Sequence, residues 1–125
     1  MIVREALVAD PRVLPGDAVL QEAPELLTHP NVKSVLVTDA ERLLGCITTK
    51  TIVGAVARGA DPRSTRARDV CEEMTTVGPE MPLDEALHLM AEQDLERLAV
   101  TDDGRLLGVL PREPAARRLA EDEPS

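Results

Sequence analysis

The sequence of 125 residues contains no Phe, Tyr or Trp. Its core must be filled by Leu, Val, Ile, Ala and Met, and a flat aromatic ligand would rest on aliphatic walls instead of stacking on rings. Cysteine is scarce. Cys46 and Cys71, 25 positions apart, form neither a metal-ligand pattern nor a redox pattern. Cys46 falls inside an apolar strand pattern, which predicts a buried, unreactive thiol. No apolar run approaches the roughly 18 residues of a membrane span. Met1 to Asp10 lacks the apolar centre of a signal peptide, so the expected location is cytoplasmic, without a membrane partner. Positive charge is also short: 14 Lys and Arg stand against 23 Asp and Glu, for a net charge of −9. That balance argues against nucleic acid, whose phosphates are bound mainly through clustered Lys and Arg. Arginines do gather at Arg63, Arg66 and Arg68 and at Arg112, Arg117 and Arg118, but with acidic residues beside them, which predicts a solvated surface.

What the chain has is a repeat. Val37-Thr38-Asp39 and Arg42-Leu43-Leu44-Gly45 return as Val100-Thr101-Asp102 and Arg105-Leu106-Leu107-Gly108, at one offset (100 − 37 = 105 − 42 = 63). At this offset Leu20, Glu22, Ala23, Leu26 and Ala57 fall on Leu83, Glu85, Ala86, Leu89 and Ala120. Twelve of the 38 positions from Leu20 to Ala57 are then identical without a gap, so one unit has been built twice. Copies of about 60 residues bury too little surface to be comfortable alone, which predicts a shared core.

Taken in order, Asp10-Pro11 is a turn signal and Arg12-Val13-Leu14 a short strand. From Val19, apolar residues at Val19, Ala23, Leu26 and Leu27 follow a helical spacing, with Asp17 as a candidate cap. Pro24 predicts a kink or early break there. After His29-Pro30-Asn31, Ser34 to Val37 and Leu43 to Ile47 read as a hairpin around Asp39-Ala40-Glu41-Arg42. Thr48 and Thr49 can cap the next helix, whose inner face is expected at Ile52, Val53, Val56 and Ala57. Gly59 to Thr65 is polar and broken by Pro. The second copy follows with a helical lead-in from Arg66 to Met74, a strand at Thr75 to Val77, and a helix facing inward at Leu83, Ala86, Leu87 and Met90. A hairpin around Asp102-Asp103-Gly104 and a Pro-interrupted helix from Glu113 to Ala120 complete it. Each copy reads β-α-β-β-α, and the fold class is α+β. The expected divisions are 1–59 for the first copy, 60–65 for a linker, 66–120 for the second and 121–125 for an acidic tail. Leu44 and Leu107 are expected to face the core, where Leu→Ala would cost about 2–5 kcal/mol.

This order, with Ala67-Arg68-Asp69-Val70, the run from Thr76 to Ala86, Leu95 to Val100 and Asp103 to Val109, resembles the CBS domain, and the tandem resembles a CBS pair, or Bateman module. The resemblance spans residues from about 3 to 120. It implies a regulatory module without catalytic activity that binds adenine nucleotides or adenosyl compounds between its repeats and dimerises. AMP, ADP, ATP and S-adenosylmethionine are the ligands it suggests. In such domains a strand ending in Gly leads to a hydroxyl residue at a helix start, which meets phosphate, and an Asp three residues on, which holds ribose. The corresponding residues here are Gly45, Thr48, Lys50 and Thr51, with Val13, Leu14, Thr76 and Val77 of the short strands counted among the ligand-binding positions.

Both copies depart from that pattern. The first keeps a hydroxyl at Thr48 but has Thr51 in place of Asp; Lys50 offers a phosphate partner. The second has Pro111 and Pro114 where the hydroxyl and the carboxylate would stand, removing two backbone donors. A helix cap without any ligand is the competing account of Thr48, and a solvated side chain that of Lys50. His29 and His88 are not equivalent by the repeat, which removes a repeated metal site; His88 lies beside Glu85 and Glu92, as for a surface ion pair. Glu22 and Glu85 suit helix dipoles better than acid/base work. The chain is thus expected to be a ligand-sensing homodimeric regulator of a protein target, or an interaction module that has lost its ligand, and no enzyme.

Overall fold

The computed structural model describes residues 1–8, 12–28 and 34–122. The Asp10-Pro11 turn, the His29-Pro30-Asn31 break and the last three residues of the expected tail lie outside these. The first copy consists of β1 (Val13–Pro15), a 3-10 turn (Leu20–Glu22), α1 (Ala23–Leu27), β2 (Val35–Asp39), β3 (Arg42–Ile47) and α2 (Thr49–Ala57). A short α3 (Ala67–Val70) leads to β4 (Thr76–Val77), α4 (Leu83–Gln93), β5 (Arg97–Asp102), β6 (Arg105–Pro111) and α5 (Arg112–Asp122). The β-α-β-β-α order therefore holds twice, and the class is α+β.

The chain divides into two compact units, one of Pro11–Met74 and one of Met1–Asp10 with Thr75–Ser125. Each has its own core, where one shared core was expected. Leu20, Ala23, Val35, Val37, Ile47, Ala55 and Ala67 fill the first. Val3, Val77, Leu83, Ala86, Met90, Leu98, Val100 and Leu110 fill the second. Four pairs of equivalent residues (Leu20 and Leu83, Ala23 and Ala86, Val37 and Val100, Ile47 and Leu110) are all fully buried. The units do not coincide with the sequence copies. Residues 66–74, the lead-in of copy 2, complete the unit of copy 1: Glu72 exchanges two backbone hydrogen bonds of 2.9 Å with Cys46. The N-terminal lead-in completes the other unit, with Val8 bonded to Val109 at 2.8 and 2.9 Å. The divisions after 59 and 65 thus separate copies, not compact bodies. Residues 60–65 are likewise held down, since Pro62 and Thr65 accept backbone bonds from Gln21 and Leu20.

Within each unit a parallel short strand joins an antiparallel hairpin. Leu14 lies beside Val37 and Val37 beside Gly45; Val77 lies beside Val100 and Val100 beside Gly108. Both hairpins shift register at the same place, between Val37 and Thr38 and between Val100 and Thr101. The two glycines have one cause. A Cβ on Gly45 would overlap the Glu72 carbonyl and one on Gly108 the Val8 carbonyl, where each lead-in crosses its hairpin. Leu44 and Leu107 correct an expectation: each is 39% exposed, on the face of its strand opposite Gly45 and Gly108. Side chains alternate along a strand, so the core positions are Ile47 and Leu110 instead.

Pro24 acts as expected on the first helix. It cannot donate to the carbonyl four residues back, so the segment opens as a 3-10 turn, and α1 starts afresh with the proline in its first turn. The equivalent α4, with Leu87 at that position, runs unbroken for 11 residues. Asp17 is not a cap; its carboxylate pairs with Arg68. The inner face of α2 is also corrected. Thr51 and Ala55 are buried and Ile52 half-buried, while Val53 is 62% and Val56 48% exposed and Ala57 is exposed. Four apolar residues matched a helical stripe, but the helix turns its polar-looking Thr51 inward because that hydroxyl finds a local partner. In α5 the prolines do not interrupt: Pro111 ends β6 and Pro114 sits in the first turn, where no intrahelical donor is needed.

Candidate functional site

In the unit of Pro11–Met74 the expected ligand positions lie on β1, on β3 and at the start of α2, with β2 between the two strands. Val13 and Leu14 sit on β1, Gly45 near the end of β3, and Thr48, Lys50 and Thr51 at the start of α2. Thr48 is the N-cap of α2. Its Oγ1 accepts from the Thr51 amide at 3.2 Å, and Thr51 Oγ1 accepts from the Thr48 amide at 3.1 Å. The two hydroxyls also share a hydrogen bond of 3.0 Å. This is a reciprocal capping box, with Thr in place of the usual Glu or Gln partner. Thr51 is 3% exposed and is the one buried polar residue among the described residues. Its hydroxyl is shared locally with Thr48, at the position where the resemblance implies a ribose-binding carboxylate. The Thr49 and Lys50 amides, in the first turn, have no intrahelical acceptor. They point along the positive end of the helix dipole, the kind of place an anion occupies.

The second helix start is different. Pro111 and Pro114 have no N–H, and the Arg112 amide is already donated to the Glu96 carbonyl at 2.8 Å. Of the first residues only Glu113 is left to offer an amide, and it brings a carboxylate with it. Thr76 and Val77 on β4 occupy the places equivalent to Val13 and Leu14. Leu14 and Val77, 5% and 4% exposed, belong to the cores, so side-chain contact from these strands falls to Val13 and Thr76. Charge divides as unevenly as the donors. Eight Lys and Arg face nine Asp and Glu in the first unit (−1); six face fourteen in the second (−8).

The remaining candidates take structural roles. Cys46 and Cys71 are free and half-buried. Burial, then the nearby Glu72 carboxylate and the Cys71 thiol, push the Cys46 pKa up; burial is also the main cause that raises Cys71. The two thiols leave the backbone on opposite sides. Cys71 Sγ lies toward Gly45 on the core side, whereas Cys46 alternates to the other face of β3. His88 meets Glu92 at 3.2 Å on the surface, and His29 lies outside the described residues. Arg63 pairs with Asp61, Arg68 with Asp17 and Arg117 with Glu113, while Arg66 donates to the Asp17 carbonyl. Glu22 and Glu85 are exposed first-turn residues. Among the described residues no group of three or more His, Cys, Asp or Glu is placed to hold a metal ion, and no helix is long and apolar enough to cross a membrane.

Comparison with known proteins agrees with this architecture. The CBS domain-containing protein YhcV of Bacillus subtilis (strain 168) is 26% identical over 109 residues, covering 86% of this chain and 78% of its own length. Among solved structures, a putative acetoin utilization protein from Vibrio cholerae superimposes with a TM-score of 0.83 at 22% identity, over 99% of this chain and 98% of that one. A protein named as CBSX2 in complex with AMP gives a TM-score of 0.78 at 21% identity, over 96% of both chains. The model of the CBS domain matches this sequence twice, over residues 3–58 and 67–113, and so the chain belongs to the CBS domain family, with two copies in tandem.

Proposed function

We propose that this CBS pair is a regulatory, non-catalytic module that senses an adenine nucleotide or related adenosyl compound through the first copy alone. The observation that carries this reading is the contrast between the two helix starts. At α2, Thr48 and the amides of Thr49 and Lys50 can meet a phosphate, and the unit around them is close to neutral. At α5, two prolines and the Arg112 bond to Glu96 remove the donors, in a unit of strongly negative charge. A phosphate there would lose hydration without gaining partners, and an unmatched buried polar group costs roughly 1–3 kcal/mol. AMP in the similar CBSX2 structure gives the ligand class to try first. Ribose would be held loosely, because the Thr51 hydroxyl is already shared with Thr48. The module works as a homodimer in the cytoplasm and passes the bound state to a protein target.

The closed Thr48–Thr51 pair favours a second reading, an interaction module without a ligand, since a cap that satisfies itself has no need of one. A thermal-shift screen with AMP, ADP, ATP, S-adenosylmethionine and NAD separates the two. A compound that binds only the native state raises its apparent stability. The sensor predicts a concentration-dependent rise with at least one adenosyl compound; an unmoved transition with all five supports the interaction module.

A further inference from the structure

We propose that Arg68 is a positioning residue for the anion site of the first copy, acting through the lead-in segment 66–72 as a brace. This inference rests on the sensor reading of the proposed function and adds a residue and a read-out to it. At one end the segment grips the turn after β1. The Ala67 and Arg68 amides donate to the carbonyls of Ala18 and Gly16 at 2.8 and 3.0 Å. The Arg66 guanidinium donates to the Asp17 carbonyl, and that of Arg68 pairs with the Asp17 carboxylate. A Cβ on Gly16 would stand 2.9 Å from the Leu44 side chain and 3.3 Å from that of Arg68, so β3 reaches this point as well. At the other end Glu72 exchanges its backbone hydrogen bonds with Cys46, two residues before the Thr48 cap. The segment thus joins the end of β1, which carries Val13, to the end of β3, which delivers Thr48 and the amides of Thr49 and Lys50. A ligand that fixes the start of α2 fixes Cys46, and the brace carries that restraint to Asp17.

The second unit repeats the brace without the site. There the Val3 and Arg4 amides donate to the carbonyls of Met81 and Pro79, each at 2.9 Å, and Val8 takes the place of Glu72 against Val109. Arg4 pairs with Glu80 at 2.8 Å, and Glu80 is the repeat equivalent of Asp17 (80 − 17 = 63). The lead-ins themselves match at 67 − 3 = 68 − 4 = 72 − 8 = 64, one residue more than the rest of the repeat. They correspond by their contacts, although the common offset does not align them. Both units therefore keep an arginine on a turn carboxylate, but only the first has a helix start with free donors for an anion. Breaking Arg4–Glu80 is thus the control for breaking Arg68–Asp17. The Arg68 and Asp17 side chains are 39% and 78% exposed, so their ion pair is a modest one. Its loss should weaken the site by about threefold without abolishing it.

Two measurements on the full chain test the brace: hydrogen exchange with and without saturating AMP, and AMP titration calorimetry of variants shown by circular dichroism to be folded. A ligand that binds only the braced form suppresses local opening as the site fills. AMP should therefore slow exchange of the Arg68 and Glu72 amides and leave those of Arg4 and Val8 unchanged, a comparison that needs no variant. Arg68→Met and Asp17→Asn should each weaken AMP binding by about threefold, and the double variant no more than either alone, because both remove the same pair. Arg4→Met should leave AMP affinity as it is in the parent. A parent that binds no AMP overturns the sensor and the brace together. AMP binding that protects all four amides alike or none of them, or that Arg68→Met leaves unchanged or Arg4→Met weakens equally, overturns the brace and leaves the sensor standing.

Discussion

Ala40 and Glu41 form the two-residue turn of the first hairpin, and both have positive φ, 49° and 73°. Their equivalents are Asp103 and Gly104, with φ of 53° and 84°. Such primed turns match strand twist but ask for Gly or Asn at positions where a Cβ is crowded. The second copy uses the favoured Asp-Gly sequence; the first does not. Glu41→Gly should therefore stabilise the protein by roughly 1 kcal/mol, read as a higher urea midpoint at unchanged slope, and Gly104→Glu should do the reverse. Side-chain alternation makes a second residue-scale prediction. Leu44→Ala and Leu107→Ala should each cost less than about 1 kcal/mol, because both leucines are well exposed. Ile47→Ala and Leu110→Ala, at fully buried positions, should cost about 2–5 kcal/mol. Equal losses in the two sets would contradict the strand facing. The thiols supply a third. Their folded pKa values lie above the ordinary 9.0, so the folded state holds its protons longer than the unfolded one. That contribution is complete below pH 9.0 and is lost as pH rises through the folded values. Melting temperature should thus fall above pH 9.0 in the parent and fall less steeply in Cys46→Ala.

Among the elements, α2 owes its start to the paired threonines. Thr48→Ala removes the acceptor for the Thr51 amide and one partner of the buried Thr51 hydroxyl, so it should cost about 1 kcal/mol even in the absence of any ligand. A Thr48→Ala protein as stable as the parent would mean that the hydroxyl is not the cap. Most of this level could be read from the sequence. The repeat offset located both hairpins, turn signals marked both short strands, and Pro24 announced the break before α1. The inward turn of Thr51 could not be read, because a hydroxyl counts as polar until its partner at Thr48 is known. Leu44 and Leu107 were misplaced because Leu43-Leu44 and Leu106-Leu107 are apolar on both sides of the strand, and only the register across Gly45 and Gly108 fixes which one faces in. The glycines themselves were legible as a repeated position. Their cause was not, since the carbonyls they admit come from segments 27 residues after Gly45 and 100 before Gly108, at Glu72 and Val8.

At the scale of the whole molecule, duplication has been followed by divergence. The cores remain interchangeable in kind, and the hairpins share even their register shift, while the two helix starts, the two outer helix faces and the two unit charges have moved apart. The exchange of lead-in segments between copies was invisible to the repeat, which compares a chain with itself and not with its contacts. On the proposed function, the consequence is a pair with one anion site in place of two. Titration calorimetry of the full chain with AMP measures this directly, because stoichiometry does not depend on affinity or on any substitution. The account predicts one AMP bound per chain, weakly; two per chain, or no heat from AMP at any concentration that saturates comparable sites, would contradict it.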